Sequence, residues 1–195
     1  MDITCLSENI KNAFYVVKKT HENVEKLMKY LRGVGVDYGY NAVGPEFLRW
    51  RSDANSQGWC VDSFIVLFQP KNALPCKSEN GWNDAPMYAL EISFQEEPCL
   101  YLSRLDFDIE SWNSSGIGSG EHWCFYWPRQ DKRYFFIQEK DGYVYSKPRD
   151  EKASEKYWKI LSSISKKSTF VDITRENVKE KIFEEFDKLA VLSLR

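Results

Sequence analysis

The spacing of apolar residues changes twice along this chain, and that change restricts its fold more than any other feature. Ile10, Phe14, Val17, His21, Val24, Leu27 or Met28, and Leu31 recur at steps of three and four, the period of a helix with one buried stripe. Gly33 and Gly35 follow and predict its end. The run from Phe14 to Val17 is partly β-branched. A second arrangement therefore makes it a strand and starts the helix at Thr20 as N-cap.

From Phe47 onward the period becomes two. Tyr88, Leu90, Ile92 and Phe94 alternate with Ala89, Glu91, Ser93 and Gln95, which predicts a strand with one face in solvent. The stretch from Cys60 to Phe68 is apolar on both faces after Asp62 and predicts a central strand. Further strands are predicted from Tyr101 to Ile109, from Trp123 to Trp127 and from Tyr134 to Gln138. Asp141-Gly142 stands between Phe135-Phe136-Ile137-Gln138-Glu139-Lys140 and Tyr143-Val144-Tyr145, the residue pair that a type I′ hairpin turn needs.

The helical period then returns. Asp150 opens a predicted helix with Ala153, Tyr157, Ile160, Leu161 and Ile164 on its stripe. A short strand is predicted from Phe170 to Ile173. Thr174 caps a last helix carrying Val178, Ile182, Phe186 and Leu189. Helices at both ends of a run of strands, without regular alternation, predict an α+β fold. The expected architecture is a mostly antiparallel sheet of about six strands with an N-terminal helix and two C-terminal helices packed on it. At 195 residues, with no linker rich in Pro, Gly or Ser, a single domain over 1–195 is expected.

Location follows from what the sequence lacks. No apolar run approaches the roughly 20 residues that cross a bilayer, and no signal-like segment opens the chain. Cysteines 5, 60, 76, 99 and 124 are odd in number and form no CxxC pair, as expected of reduced thiols. A cytoplasmic protein without a membrane partner is the expectation. The net charge of −2 argues against a surface built throughout for a polyanion.

Function is written less plainly. Two long irregular stretches, from Pro70 to Pro86 and from Glu110 to Glu121, carry Trp82 and Trp112. Loops of that length are commonly functional, and the two rings are candidate anchors of a recognition surface. The competing reading has each ring holding its own loop on the core. Gly116-Ile117-Gly118-Ser119-Gly120 is glycine-rich but lacks the Lys-Ser/Thr pair and following helix of a phosphate cradle. His122 and Cys124, two apart in a predicted strand, would share a face there.

Asp62 and Glu91 on adjacent predicted strands resemble the carboxylate pair of metal-dependent nucleases. Such sites place a lysine two residues after the glutamate, and Ser93 stands there instead. A buried Asp62 would need a partner, and Arg49 or Arg51 is expected to supply it. Arg49-Trp50-Arg51 and the later Trp127, Arg129, Lys132 and Arg133 interleave rings with cations, a composition suited to stacked bases or to cation-π pairs inside one sheet. Lys152, Lys156 and Lys159 form a small basic helix face.

The expectation is a non-catalytic binding module for a protein or small molecule. Trp82, Trp112, Arg49, Arg51 and His122 are its candidate contacts, and no residue is assigned to catalysis. The alternative is a metal-dependent nucleic-acid-processing enzyme using Asp62 and Glu91, or a nucleic-acid-binding protein. No motif implies a cofactor.

Overall fold

The computed structural model describes residues 3–54, 56–113, 116–170 and 173–193. Helix α1 spans Ile3–Val34, so the strand arrangement at Phe14 to Val17 is not adopted. Val24, Met28 and Leu31 are buried, while every side chain from Cys5 to Lys19 is exposed. The helix passes into a 3-10 turn, Gly35–Tyr38, closed by Gly39 at φ 89°. That left-handed residue lets its N–H reach back to the Gly35 and Val36 carbonyls.

Seven strands follow: β1 (Tyr40–Arg49), β2 (Ser63–Pro70), β3 (Met87–Ser93), β4 (Cys99–Phe107), β5 (Phe135–Lys140), β6 (Tyr143–Pro148) and β7 (Ile160–Thr169). They form one sheet in the order β1-β2-β3-β4-β7-β6-β5, and every pairing is antiparallel. The fold is α+β, with seven strands where about six were expected. Asp141 at φ 53° and Gly142 at φ 79° make the predicted tight turn, with Lys140 opposite Tyr143.

Two predicted elements are replaced. The helix opened by Asp150 is α3, Glu151–Lys156, and ends after six residues. Trp158 and Lys159 then take φ of 58° and 57°, which breaks the helical path, and the rest becomes β7. Ile160, Leu161 and Ile164 suit either period. The slot between β4 and β6 decides, because an unfilled slot would leave two ladders of backbone groups unpaired. Ser163 and Ser165 fit it through buried hydroxyl pairs, Ser146 with Ser163 and Ser103 with Ser165, each at 2.8 Å.

The strand predicted from Trp123 to Trp127 is instead α2, Trp123–Tyr126, followed by a 3-10 turn at Trp127–Arg129. Here the chain crosses the sheet face from β4 to β5, so it has no neighbouring strand to pair with. In the strand predicted from Phe170 to Ile173, Val171 and Asp172 lie outside the described residues.

Both sheet faces are covered. One carries α1 and the C-terminal helical segment over Phe64, Val66, Phe68, Leu90 and Leu102. The other packs Ile65, Leu67, Met87 and Leu105 under irregular chain and α2. The expected wet face of β3 is therefore absent: Ala89, Glu91 and Ser93 are all buried. The segments between β2 and β3 and between β4 and β5 cover it.

Near the C-terminus, the Thr174 N–H donates to Asn177 Oδ1 at 2.8 Å, a capping contact at the predicted position. A π turn at Lys179–Phe183 leads into α4, Glu184–Val191, and the predicted stripe Val178, Ile182, Phe186 and Leu189 is fully buried. Arg104 closes the far end, donating to the carbonyls of Ala190 at 2.9 Å and Leu192 at 3.1 Å.

Glu185, also buried, ties this helix to the sheet. It accepts from Tyr143 Oη at 2.7 Å, Lys166 Nζ at 2.9 Å and Lys188 Nζ at 3.2 Å. Burial raises its pKa, and these donors outweigh burial, so the net shift is downward. The Tyr143 phenol is pushed up to about 12, by burial first and by Glu185 second. A lowered carboxyl contributes stability that is present above its unfolded pKa, about 4.3, and is lost as pH falls through the folded value. Glu185→Gln is expected to cost about 2–3 kcal/mol at pH 7. Urea denaturation should show that difference shrinking from about pH 4.5 downward; a difference that grows in acid would refute the assignment.

Candidate functional site

The two irregular stretches are stitched to each other. Asn80 Nδ2 donates to the Ile109 carbonyl at 2.7 Å and the Trp112 carbonyl at 3.1 Å, and Asn80 Oδ1 accepts from the Trp82 N–H at 3.0 Å. Glu110 accepts the N–H groups of Lys77 at 2.7 Å and Ser78 at 3.0 Å, bonds that hold its carboxyl below the usual range.

Within this clasp Trp82 and Trp112 meet edge to face at 5.4 Å, and Trp112 meets Trp158 the same way at 5.1 Å. The Trp112 indole N–H donates to the Trp158 carbonyl at 2.7 Å. Trp82 and Trp112 are each 8% exposed, so they fasten their loops to the second core and offer little ring surface outward. A cleft of about 260 Å³ remains beside them, lined also by Glu121, Trp158 and Lys159. Trp158 was not among the predicted contacts. It lay inside a predicted helix, and only the left-handed backbone at 158 and 159 turns it toward the other two rings.

Glu91 lies at the centre of a second cluster. Its Oε2 pairs with Arg129 Nη1 at 2.6 Å, and its Oε1 accepts from Ser63 Oγ at 2.8 Å. The Arg129 guanidinium lies 3.9 Å from the Tyr101 ring and 4.4 Å from the Tyr126 ring. This cation is neutralised and enclosed inside the protein.

Asp62 sits half-buried just before β2. Among the described residues no ion pair joins it to Arg49 or Arg51, which corrects the expected pairing. Arg51 instead faces Asp53 at 3.5 Å on the surface, and Arg49 lies over the Phe47 ring at 5.3 Å. No group of three His, Cys, Asp or Glu side chains placed to hold a metal occurs among the described residues.

His122 precedes α2 and is buried. Burial holds its pKa below the ordinary value and pushes the Cys124 thiol up. On a helical path, residues two apart diverge by about 200°, so the shared face expected for this pair does not form. Several other cations are engaged locally: Arg133 with Asp131 at 2.9 Å, and Lys156 over Tyr134 at 3.7 Å. Lys152, Lys156 and Lys159 do not share one helix, since α3 ends at Lys156.

An opening lies where α1 leaves the sheet. Phe14, Val17, His21, Phe47, Val61 and Phe64 line a groove of about 600 Å³ together with the charged Lys18, Glu22, Glu25, Glu46 and Arg49. His21 Nε2 is 2.9 Å from the Val61 carbonyl oxygen, and its ring meets Phe64 edge-on at 5.4 Å, which sets the floor. Toward the N-terminus the stripe of α1 continues exposed, with Leu6 at 47% and Ile10 at 52%, after Phe14 at 73% and Val17 at 39% in the groove itself. The stripe was legible as a helical period, but its loss of a partner beyond Val24 was not.

No helix among the described residues is long and apolar enough to cross a membrane. The chain matches no protein-family model, and comparison with curated proteins and with solved structures finds no match, so its function is argued from these surfaces alone.

Proposed function

We propose that the protein is a non-catalytic interaction module that holds an apolar helical segment of a polypeptide along α1 and in the groove at its base. The observation that carries this reading is the apolar stripe of α1, which is buried at Val24, Met28 and Leu31 and exposed from Leu6 to Val17. Contiguous exposed apolar surface of this kind marks interaction sites, and a helix laid into a groove is a recurring way of filling it. A non-catalytic role is supported by the interior ionisable groups Glu91, Arg129 and Glu185, each held by a partner within the fold. Five unpaired cysteines support a reducing, cytoplasmic setting.

Photo-crosslinking tests the reading. Benzoylphenylalanine placed at Phe14 and irradiated in the source cell is expected to give a covalent polypeptide adduct. The same group at Lys152, exposed on α3, should not. Absence of an adduct at position 14, or equal adducts at both positions, would remove α1 as the binding face.

A further inference from the structure

The exposed part of α1 has the sequence of a helix-pairing seam. Ile3, Ile10, Val17, Val24 and Leu31 recur every seven residues, and Leu6, Ala13, Thr20 and Leu27 recur in step three residues later, the pattern of positions a and d in paired helices. From Leu6 to Asn23 the flanking positions are Ser7, Phe14 and His21 on one side and Asn9, Val16 and Asn23 on the other. None is charged. Glu8, Lys11, Lys18, Lys19 and Glu22 all lie off the seam and its flanking positions, with Lys18 and Glu22 bordering the groove. A helix meant for water on every side has no reason to segregate charge in this way, whereas a helix with a partner does.

We propose that the partner is a second copy of this chain, paired antiparallel through α1 about a two-fold axis near residues 11 and 12. This rests on the reading of α1 as a binding face. Large and small seam residues decide the direction. Antiparallel pairing sets Ile10 against Ala13 of the second copy and Leu6 against Val17, so each large side chain meets a smaller one. Parallel pairing would set Ala13 against Ala13 and Thr20 against Thr20, leaving two thin layers.

Geometry agrees. Leu6 of the second copy meets Val17 at the mouth of the groove, so the first turn of each helix is carried to the base of the other. One two-fold contact thus covers both stripes and both grooves. The exposed fractions of Leu6, Ile10, Phe14, Val16 and Val17 correspond, with their neighbours, to about 600 Å² per copy, or about 1,200 Å² in all, the lower edge of a stable interface. Pairing also accounts for a projecting helix that has no packing of its own from Cys5 to Lys19, a length that is marginal in water.

Sedimentation equilibrium of the full chain from about 1 to 100 μM, a range typical of modest interfaces, tests the pairing. The expected mass rises toward twice the 22.9 kDa of one chain. Ile10→Lys is expected to weaken association about 100-fold or more, with the near-UV circular dichroism unchanged because Ile10 lies outside both cores. Lys11→Glu, on the far side, should change it less than about threefold.

For direction, Leu6→Cys and Val17→Cys are combined in a Cys5→Ser, Cys60→Ser background. A disulfide-linked dimer is expected only when both cysteines are present. A wild-type chain that stays monomeric, a dimer indifferent to Ile10→Lys, or Leu6→Cys linking to itself alone would each overturn the proposal. A monomer that still gives a Phe14 adduct with a different polypeptide overturns self-pairing and leaves α1 as a binding face. A monomer with no adduct removes both.

Discussion

Arg129→Ala is expected to destabilise the protein by about 3–5 kcal/mol, the cost of leaving a buried charge without its partner. Glu91 is 2% exposed and its Oε2 faces Arg129 at 2.6 Å. With the guanidinium gone, Ser63 is the one side chain among the described residues still bonded to that carboxylate. The change also removes the cation between Tyr101 and Tyr126, leaving a void lined by two rings. Because the penalty comes chiefly from the orphaned carboxylate, a second change should relieve it. Glu91→Gln in the Arg129→Ala background is expected to recover more than half of the lost stability. Urea denaturation of the four proteins gives the cycle directly. A loss below about 1 kcal/mol for Arg129→Ala would mean that water reaches Glu91 and that the pair is not enclosed.

Trp112→Ala is expected to cost about 3–5 kcal/mol, the usual result of emptying a large aromatic site. The ring touches Trp82, Phe107 and Trp158, and its N–H holds the Trp158 carbonyl. Loss should therefore spread to both irregular stretches, with proteolysis appearing between Pro70 and Pro86 before the sheet unfolds. Trp112→Phe keeps part of the packing but leaves the Trp158 carbonyl without its donor, so a smaller loss of about 1–2 kcal/mol is expected. An anchor reserved for a partner would behave differently: truncation would leave unfolding unchanged within about 0.5 kcal/mol and abolish binding. That outcome would return Trp82 and Trp112 to the role expected of them from the sequence.

Much of the fold was readable before the structure. The Asp141-Gly142 hairpin, the central strand after Asp62, and the stripes of the first and last helices are all local signals, carried by turn chemistry and by apolar period. The misreadings are of one kind. Residues 160–164 fit a helix or a strand equally well, and residues 123–127 are apolar on every side, so period cannot choose for either. What chose was the availability of a neighbour: an open slot for β7, and none for α2.

The candidate sites show the same division more sharply. Trp82 and Trp112 were conspicuous as large rings in polar surroundings, yet the structure brings them to Trp158, which sits in a backbone reversal that no local signal announced. In the sequence Arg129 and Glu91 stand apart, one among cations interleaved with rings for stacked bases or cation-π pairs, the other on an alternating strand and as half of a nuclease-like carboxylate pair. They are partners 38 positions apart in sequence. Glu91 appeared solvent-facing because alternation reports only that a face differs from its opposite, not what lies over it.

Local chemistry in the chain is enough to specify the α+β class, the tight turn and the apolar stripe of α1, since each depends on residues within a few positions of one another. Which face of β3 is wet, which carboxylate meets which guanidinium, and where the stripe of α1 runs out of sheet are decided by segments distant in sequence. Burial is a property of the assembled layers, and a helix 32 residues long projects beyond them only because the sheet that covers its second half does not extend to its first.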